Sequence, residues 1–255
     1  MLALSVIVIV KDAAIDIQRC LESVKWADEI IILDSGSQDN TLEICRQYTQ
    51  NVFLTDWPGF GMQKNRALDK AQGKWVLSID ADEYLSDRLI EEIKQIISND
   101  KDKNDAYAIK RISFFCGKKI RHGDWSRDSV VRLFRRLPHI RFTPASIHEN
   151  LNGYLHLGEL NQVIFHNTMK TISQVLLKLE HYSSLTAQMA YQQHKKSNIF
   201  KAILHATWCF IRGYLIRLGF LDGREGFILA ISNALGVFYR YVKLIYLYPR
   251  RNHVS

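Results

Sequence analysis

Two aspartates at positions 80 and 82 are the most informative chemical feature of the sequence. Asp80 and Asp82 directly follow the apolar run of residues 75–79. Mg²⁺ prefers oxygen ligands and commonly takes one or two carboxylates together with substrate phosphates. Aspartates are also frequent in turns, where they organise only their own backbone. The pair therefore predicts binding of an ion or a ribose, with a plain turn as the alternative.

Asp34 and Lys64 are further candidates for ligand binding. Asp34 follows the apolar run of residues 29–33 and precedes a Ser-Gly-Ser turn, so it could hold a base or ribose or only organise that turn. Lys64 lies in the string WPGFGMQKN, where a helix is predicted from about residue 63. Two glycines there allow close backbone approach to a ligand, and the lysine could meet a phosphate. The alternative is a glycine turn with a solvated lysine.

Glu149 and His166 could serve acid–base or metal chemistry. Glu149 follows His148 in a polar stretch, and a suitably placed glutamate can act as a general base. The spacing is not HExxH, which excludes a zincin-type metal site. His166 follows an apolar stretch and is either a metal ligand or a core histidine with satisfied hydrogen bonds. Taken alone, each residue favours the simpler structural interpretation.

Nine lysines and arginines lie between Lys110 and Arg136, interleaved with aromatic residues. Arginine matches the geometry of phosphate and carboxylate groups, so the segment could hold an anionic acceptor. Trp125, Arg132 and Arg135 are the candidate contacts. A solvated rim is the alternative, and the segment lacks any signature of a nucleic-acid-binding module.

Strands alternate with helices over the first hundred residues, which places these candidates. Apolar runs at residues 4–10, 29–33, 51–55 and 75–79 predict buried strands of a parallel sheet with helices on both faces. Ligands of such α/β sheets bind at the carboxyl ends of the strands. At three of the four strand exits an aspartate is the next residue. Ser86 is predicted to cap the helix that follows, and Asn40 and Glu43 have capping-box spacing.

Charge is distributed unevenly along the 255 residues. The net charge is +8, and the segment 194–255 carries all of the excess, with ten Lys and Arg against two acids. This asymmetry disfavours a uniformly basic nucleic-acid binder and favours a tail on an anionic surface. Four widely spaced cysteines predict neither a disulfide framework nor a zinc knuckle.

The C-terminal part, from about residue 171, is predicted to be helical, basic and amphipathic. Aromatic and aliphatic residues alternate with spaced cations, as in helices that lie in a membrane interface. A helical lid on the core is the alternative. Uninterrupted apolar runs of only about 12 residues argue against a spanning helix. The apolar stretch near the start lacks a preceding basic residue and a cleavage site, so we interpret it as a strand rather than a signal peptide.

Eight strings of the sequence resemble the family 2 inverting glycosyltransferases, and more narrowly the bacterial lipopolysaccharide inner-core glucosyltransferases. They run through most of the chain in the family's order. The strings are LSVIVIVKDA, EIIILDSGSQDNT, DWPGFGMQKNRAL, GKWVLSIDADEYLS, VVRLFRR, IHENL, IFHNT and LDGREGF. The resemblance implies the GT-A fold, a mixed and mostly parallel sheet flanked by helices. It divides the chain into a catalytic domain at 1–170, with a nucleotide-sugar half at 1–100 and an acceptor half at 101–170, and a helical region at 171–255.

The resemblance also implies roles for donor-binding residues. Asp34 matches the aspartate that contacts the nucleoside, and Asp80 the first aspartate of the DxD pair. Lys64 matches a lysine that contacts the diphosphate or the acceptor. Val10 and Lys11, at the end of the first strand, fall in the donor site, although the following Asp-Ala-Ala departs from the Asn-Glu common in relatives.

The same resemblance assigns Asp82 and His166 to a Mg²⁺ or Mn²⁺ ion and Glu149 to the catalytic base. The family base is commonly the aspartate of a Glu-Asp pair, whereas this chain has His148-Glu149. The implied reaction transfers glucose from UDP-glucose to a lipopolysaccharide core heptose, in the cytoplasm at an anionic inner-membrane face. Alternatives are a polyprenyl phosphate or another glycan as acceptor, or a non-catalytic module that binds a nucleotide sugar or a membrane.

Overall fold

The chain forms two compact units. The structure, a computed structural model, describes residues 2–99, 101–144 and 149–248. The first unit comprises Met1–Ile112 and Arg127–Asn167, and the second comprises Ser113–Ser126 and Thr168–Ser255. The sequence predicted one boundary at residue 170. In the structure the chain enters the helical unit at Thr168, and the earlier segment 113–126 groups with that unit.

The described residues contain short and long strands and seven α-helices. The strands are β1 (Leu4–Val10), β2 (Glu29–Asp34), β3 (Val52–Leu54), β4 (Trp75–Asp80), β5 (Glu83–Leu85), β6 (Ala106–Phe115), β7 (Lys118–Lys119), β8 (Ser129–Arg135), β9 (Arg141–Phe142), β10 (Leu151–Asn152) and β11 (Leu157–Met169). The α-helices are α1 (Ile17–Val24), α2 (Thr41–Arg46), α3 (Phe60–Lys70), α4 (Asp87–Ser98), α5 (Ile172–Gln192), α6 (Ile199–Phe210) and α7 (Gly223–Leu247). Short 3-10 turns occupy Gly123–Arg127 and Gly219–Asp222, and a π-helix occupies Ile211–Ile216.

A mixed sheet forms the centre of the first unit, in the order β3-β2-β1-β4-β8-β6-β11-β5. The first four strands of this order are parallel, as the sequence predicted. Strand β8 runs antiparallel to β4 and to β6, and β11 runs antiparallel to β5. The predicted fold class, a mixed sheet flanked by helices, is confirmed.

Strand β1 shows why the sheet is covered on both faces. All seven of its residues are buried, as a continuous β-branched run predicts. Val6 and Val8 pack in the apolar cluster that contains Leu21 of α1, whereas the intervening Ile7 packs in the cluster that contains Ala67 of α3. Alternation along one strand therefore supplies two cores, one on each face.

Helix boundaries test the predicted capping signals. The Ser86 side chain accepts a hydrogen bond from the Leu89 N–H, which confirms the predicted cap of α4. The predicted capping box at Asn40 and Glu43 is wrong, because the Asn40 side chain makes no capping bond to α2. Helix α3 begins at Phe60 rather than near residue 63, directly after Gly59, whose φ of 108° suits glycine. Lys64 consequently lies beyond the first turn of the helix.

The second unit is largely helical, and its turns are held by buried polar contacts. Asp222, in the LDGREGF string, is 4% exposed and accepts hydrogen bonds from the backbone N–H groups of Arg121 and His122. A Cβ atom on Gly226 would meet the Gly219 carbonyl oxygen at 2.0 Å. The string is therefore a packing motif that closes the turn before α7.

Two ranges of the second unit have the length and apolar composition of membrane-spanning helices, Ile199–Ile216 and Gly219–Leu247. Only 17% of the most apolar 18-residue stretch of each range is buried. The sequence predicted that the apolar runs are too short to span a membrane, and this expectation concerned runs without charged residues. The two ranges are longer because they include charged residues, among them Lys201 and Arg212 in the first and Arg240 in the second. Exposed apolar side chains on these helices include Phe200, Trp208 and Leu215.

The four cysteines are free, in keeping with their wide spacing. Cys20 and Cys45 are buried in the first unit, and Cys116 and Cys209 belong to the second. Burial raises the pKa of Cys45 to about 12 and also raises the pKa values of Cys20 and Cys209. These three side chains are therefore neutral thiols at neutral pH.

Candidate active site

The parallel strands bring the predicted donor-site residues to one edge of the sheet. In the register of β1, Val10 pairs with Asp34 of β2 and Ile9 pairs with Asp80 of β4. The three strands therefore end side by side. The carboxyl ends of neighbouring parallel strands are where ligands of α/β sheets bind.

Asp34 organises the turn after β2 with one carboxylate oxygen and leaves the other without a partner in the described part of the chain. Its Oδ1 atom accepts hydrogen bonds from the N–H groups of Gly36 (2.7 Å) and Ser37 (2.9 Å), which shapes the turn after β2. Its Oδ2 atom is buried and has no hydrogen-bond partner in the described part of the chain. A buried acceptor without a donor is unfavourable, so this atom is suited to receive a donor from a ligand. The nucleoside contact of Asp34 stays a prediction.

Backbone atoms of Val10 rather than its side chain belong to this edge. The Val10 side chain is buried, and its carbonyl oxygen accepts a hydrogen bond from the Ser35 N–H at 3.0 Å. Lys11 follows β1 and is exposed. The structure places both residues beside Asp34, and their donor contacts stay a prediction.

Asp80 is clamped between two cations. Its Oδ1 atom lies 3.0 Å from Lys64 Nζ, and its Oδ2 atom accepts a hydrogen bond from Arg132 Nη2. Burial acts to raise the pKa of Asp80, but the charges of Arg132 and Lys64 outweigh it and hold the pKa well below the ordinary value. Asp80 is therefore a carboxylate at every physiological pH.

Glu83 is a buried organising residue that the sequence analysis missed. It is fully buried, and its Oε1 atom accepts hydrogen bonds from Arg132 (2.7 Å) and Arg111 (2.9 Å). Its Oε2 atom accepts the Asp80 N–H at 3.0 Å. Glu83 thus holds both the backbone of Asp80 and the arginine that pairs with the Asp80 side chain. The only sequence signal was a third acidic residue after the Asp80 strand, which by itself is common.

Helix α3 ties three parts of the site together through consecutive polar residues. Gln63 donates to Ser35 Oγ at 2.9 Å, next to Asp34. Asn65 exchanges two hydrogen bonds with the backbone of Phe142 in β9. Between them, Lys64 is 2% exposed and points to Asp80. The three residues of the QKN string thus lie between the ends of the parallel strands and β9.

Glu149 reaches the same lysine. Its Oε1 atom lies 2.6 Å from Lys64 Nζ, so one buried ammonium group bridges Glu149 and Asp80. Gly61 makes this approach possible, since a Cβ atom there would come within 1.7 Å of the Thr143 carbonyl oxygen and 3.4 Å of Glu149 Cβ. The glycine thus serves close approach to Thr143 and Glu149, and the predicted approach of the backbone to a ligand stays a prediction. His148 lies outside the described residues.

Asp82 and His166 form a second pair. Asp82 Oδ2 lies 3.2 Å from His166 Nε2, and the Asp82 carbonyl oxygen accepts the Asn167 N–H at 2.8 Å. Pairing of β5 with β11, which sets His166 opposite Glu83, brings the two side chains together across 84 positions of sequence. The predicted metal ligands are therefore neighbours.

The donor set and charge of the cluster fit a divalent cation that also binds phosphate. Within the described residues no group of three or more His, Cys, Asp or Glu side chains is arranged to hold a metal ion. Two protein ligands are nevertheless usual for Mg²⁺ or Mn²⁺ when substrate phosphates complete the shell. Lysine and arginine pair with most of the other carboxylates, whereas Asp82 pairs with a histidine, itself a possible metal ligand.

Two of the three predicted acceptor contacts, Arg132 and Arg135, lie in the first unit. Arg132 is 5% exposed and paired with Asp80 and Glu83. The Arg135 guanidinium donates to the carbonyl oxygens of Asn104 (3.0 Å) and Asp102 (2.6 Å). It also lies 4.5 Å from the Trp75 ring centroid, at the amino end of β4.

Trp125, the third predicted acceptor contact, belongs to the second unit. It is partly buried and packs against Phe115 with ring centroids 6.0 Å apart. Arg132, Arg135 and Trp125 thus all have structural partners, and their contacts with an acceptor stay a prediction.

Comparison with known proteins identifies the class of enzyme. Residues 5–149, which contain the Asp34, Asp80, Asp82 and Glu149 site, match the model of the family described as Glycosyl transferase family 2. A glycosyltransferase of Rickettsia prowazekii is 31% identical over 257 residues, covering 94% of this chain and 86% of the relative. The chain belongs to glycosyltransferase family 2 and is a glycosyltransferase.

Two further similarities are more distant. The lipopolysaccharide core biosynthesis glycosyltransferase LpsC of Rhizobium meliloti is 25% identical over 249 residues, covering 95% of this chain and 92% of LpsC. Among solved structures, residues 1–349 of Staphylococcus aureus TarS in complex with UDP-GlcNAc align with a TM-score of 0.49 and 17% identity. That alignment covers 95% of this chain and 88% of the other.

Proposed function

We propose that this glycosyltransferase transfers a hexose, with inversion, from a nucleotide sugar to a lipopolysaccharide core acceptor. The donor is UDP-glucose and the acceptor an inner-core heptose. The observation that carries the proposal is the bridge of Lys64 between Glu149 and Asp80, beside the Asp82–His166 pair. It joins a candidate base to a candidate diphosphate site within a few ångströms.

Glu149 is the proposed general base. Its carboxylate accepts the proton of an acceptor hydroxyl while the hydroxyl oxygen forms a bond to the anomeric carbon. The bond from that carbon to the diphosphate oxygen breaks, and its electron pair leaves with UDP on the opposite face. No covalent enzyme intermediate is required. Lys64 orients Glu149 and places a positive charge beside the leaving group, where negative charge develops.

Asp82 and His166 are the proposed ligands of Mg²⁺ or Mn²⁺. Such an ion, when bound, supplies charge stabilisation to the diphosphate. Asp80 lies two residues away but is already neutralised by Lys64 and Arg132. We therefore assign Asp80 to the donor side, with the orphaned Asp34 Oδ2 receiving a hydrogen bond from the nucleoside.

The acceptor assignment is supported by similarity to LpsC, whose name places it in lipopolysaccharide core biosynthesis. Such an acceptor is anchored in a membrane. The second unit exposes apolar side chains along α6 and carries the basic excess of the sequence. We propose that this unit lies on the anionic cytoplasmic face of the inner membrane.

The metal assignment is tested by replacing Asp82 with asparagine. We expect Asp82→Asn to fold normally but to lose metal-dependent binding of UDP. Its kcat/KM should fall at least about 100-fold, as is found when one group that stabilises charge in the transition state is removed. Titration calorimetry of Mn²⁺ with UDP and a coupled UDP-release assay measure the two effects. Asp87→Asn, an exposed aspartate of α4, is the matched control. Near-wild-type UDP binding by Asp82→Asn contradicts the assignment.

Donor and acceptor are tested separately from the metal. Purified protein is incubated with a panel of UDP-sugars and either core lipopolysaccharide ending in heptose or a polyprenyl phosphate. We expect a product only from UDP-glucose with the core acceptor. Transfer to polyprenyl phosphate instead identifies the alternative reaction.

A further inference from the structure

A cavity of about 360 Å³ lies in the second unit, and none of the residues assigned above to donor or metal lines it. It lies among α5, α7, the π-helix and the turn that carries Asp124 and Trp125. Phe115, Val175 and Leu229 form a common apolar cluster along its wall. Its volume falls within the range of sites that bind small molecules.

The charged side chains of the cavity leave a positive excess. Arg212 makes a two-point contact with Asp124, with Nε to Oδ1 at 3.2 Å and Nη2 to Oδ2 at 3.0 Å. Lys178 donates to the Thr168 carbonyl oxygen at 2.9 Å. Arg240 is the remaining cation of the lining, which thus holds three cations and one carboxylate.

Arg240 has an unfilled hydrogen-bonding position. Its Nε atom is buried and makes no hydrogen bond within the described residues. A buried guanidinium N–H without an acceptor is unfavourable by itself, and an anionic oxygen is its strongest partner. The cavity therefore presents apolar walls together with one cationic donor, which is the complement of an anionic amphiphile.

The π-helix Ile211–Ile216 supports a binding role. Such helices are rare and occur frequently at functional sites. Here the irregular turn carries Arg212 to Asp124, and Gly213 keeps the contact close, since a Cβ atom there would lie 3.3 Å from Asp124 Oδ2. The helix thus shapes one wall of the cavity.

We infer that this cavity binds one anionic glycerophospholipid of the bilayer. An acyl chain packs against the apolar wall, and a phosphate oxygen accepts the hydrogen bond of Arg240 Nε. The inference rests on the membrane contact under the proposed function, because the exposed apolar helices deliver the unit to the lipid. A lipid-anchored acceptor also carries phosphate and acyl chains. The cavity lining includes Trp125 but not Glu149, Arg132 or Arg135, the other residues proposed for the acceptor, which favours the phospholipid.

The test is a binding measurement with soluble short-chain lipids and without sugar donor. We expect dioctanoyl phosphatidylglycerol to bind one to one by calorimetry, at least about tenfold more tightly than dioctanoyl phosphatidylcholine, as one hydrogen bond to a charged group allows. Inorganic phosphate alone should not bind, since it lacks the chain. Arg240→Gln should reduce the preference to about twofold or less. Arg224→Gln, an exposed arginine of the same helix, should retain it.

A second variant separates binding from folding. Gly236 lines the cavity within α7, and a Cβ atom there makes only an ordinary 3.8 Å contact with Leu179. Gly236→Leu fills the cavity and replaces a poor helix former, so we expect unchanged or higher thermal stability together with loss of both lipids. Unchanged lipid binding by Gly236→Leu, or no saturable phosphatidylglycerol binding by the wild type, overturns the inference.

Two further comparisons keep the inference distinct from the proposed reaction. Asp82→Asn should bind phosphatidylglycerol as the wild type does, even though it fails to transfer sugar. Core lipopolysaccharide that occupies the cavity when phosphatidylglycerol does not would overturn the phospholipid assignment and identify the acceptor lipid as the occupant.

Discussion

At the scale of single residues, the buried side chains of Lys64 and Glu83 hold the site together through ion pairs. Lys64 joins Asp80 to Glu149, and Glu83 joins Asp80 to Arg132 and Arg111. Every member of this chain of ion pairs has a partner of opposite charge. Removing one member leaves a buried charge uncompensated, which is more damaging than losing an exposed pair.

We expect Glu83→Gln to lower the free energy of unfolding by about 3 kcal/mol, as for other broken buried pairs, because Arg132 and Arg111 lose their shared carboxylate. Urea unfolding measures the loss, and kcat should fall because Asp80 is no longer held. Glu91→Gln, an exposed pair with Lys94 on α4, should change stability by less than about 0.5 kcal/mol. Equal effects of the two substitutions would contradict the role given to Glu83.

The lowered pKa of Asp80 predicts a direction for pH dependence. A carboxylate whose pKa is lower in the folded state stabilises the protein at pH values above its pKa in the unfolded state, which is about 3.9. This stabilisation is lost as the pH falls toward the pKa in the folded state. The difference in unfolding free energy between wild type and Asp80→Asn should thus be constant above about pH 5 and shrink below about pH 4. A difference that varies between pH 6 and 8 would refute this account.

At the scale of elements, helix α3 must approach Thr143 and Glu149 closely. Replacing glycine by alanine inside a helix normally stabilises it by up to about 1 kcal/mol. We expect the opposite at Gly61, because the new methyl group would overlap the Thr143 carbonyl oxygen. Displacement of Glu149 should lower kcat at least about tenfold, as small misplacements of reacting groups do, with a smaller change in donor affinity.

Steady-state kinetics and thermal melting measure the effect of Gly61→Ala. Met62→Ala is the matched control, since Met62 is exposed on the same helix. A Gly61→Ala protein that is more stable and fully active would show that the approach is not required.

Local patterns predicted the elements better than they predicted the site. Continuous β-branched runs and the strand exits with aspartates identified β1, β2, β4 and the position of Asp80, since these signals lie within a few neighbouring residues. The Lys64–Glu149 bridge spans 85 positions, and only the folded chain brings the two together. Arg132 was assigned to the acceptor because arginine suits phosphate and carboxylate groups, and nothing in the local sequence indicated that pairing with Asp80 and Glu83 buries it.

At the scale of the whole molecule, the candidate site and the long helices with exposed apolar side chains belong to different units. The first unit contains the described site residues from Asp34 to His166, and the second contains the helices with exposed apolar side chains. Phe200 of α6 is 72% exposed and Leu155 of the first unit is 83% exposed. The two residues therefore allow a matched test of which unit meets the membrane.

We expect Phe200→Glu to weaken binding to phosphatidylglycerol vesicles about tenfold, since burial of a phenylalanine side chain contributes roughly 1.5–3 kcal/mol. Leu155→Glu should bind as the wild type does. Co-sedimentation measures both, and binding should weaken at high salt because the attraction is partly electrostatic. Equal loss in the two variants would contradict a membrane-facing second unit.

The placement of the cysteines offers a built-in reporter of local opening. Two thiols lie in each unit, and burial suppresses ionisation of three of them, so they react with alkylating reagents only when their surroundings open. Brief exposure to such a reagent in mild denaturant, followed by peptide mapping, would therefore time the loosening of each half of the protein independently, without an engineered label.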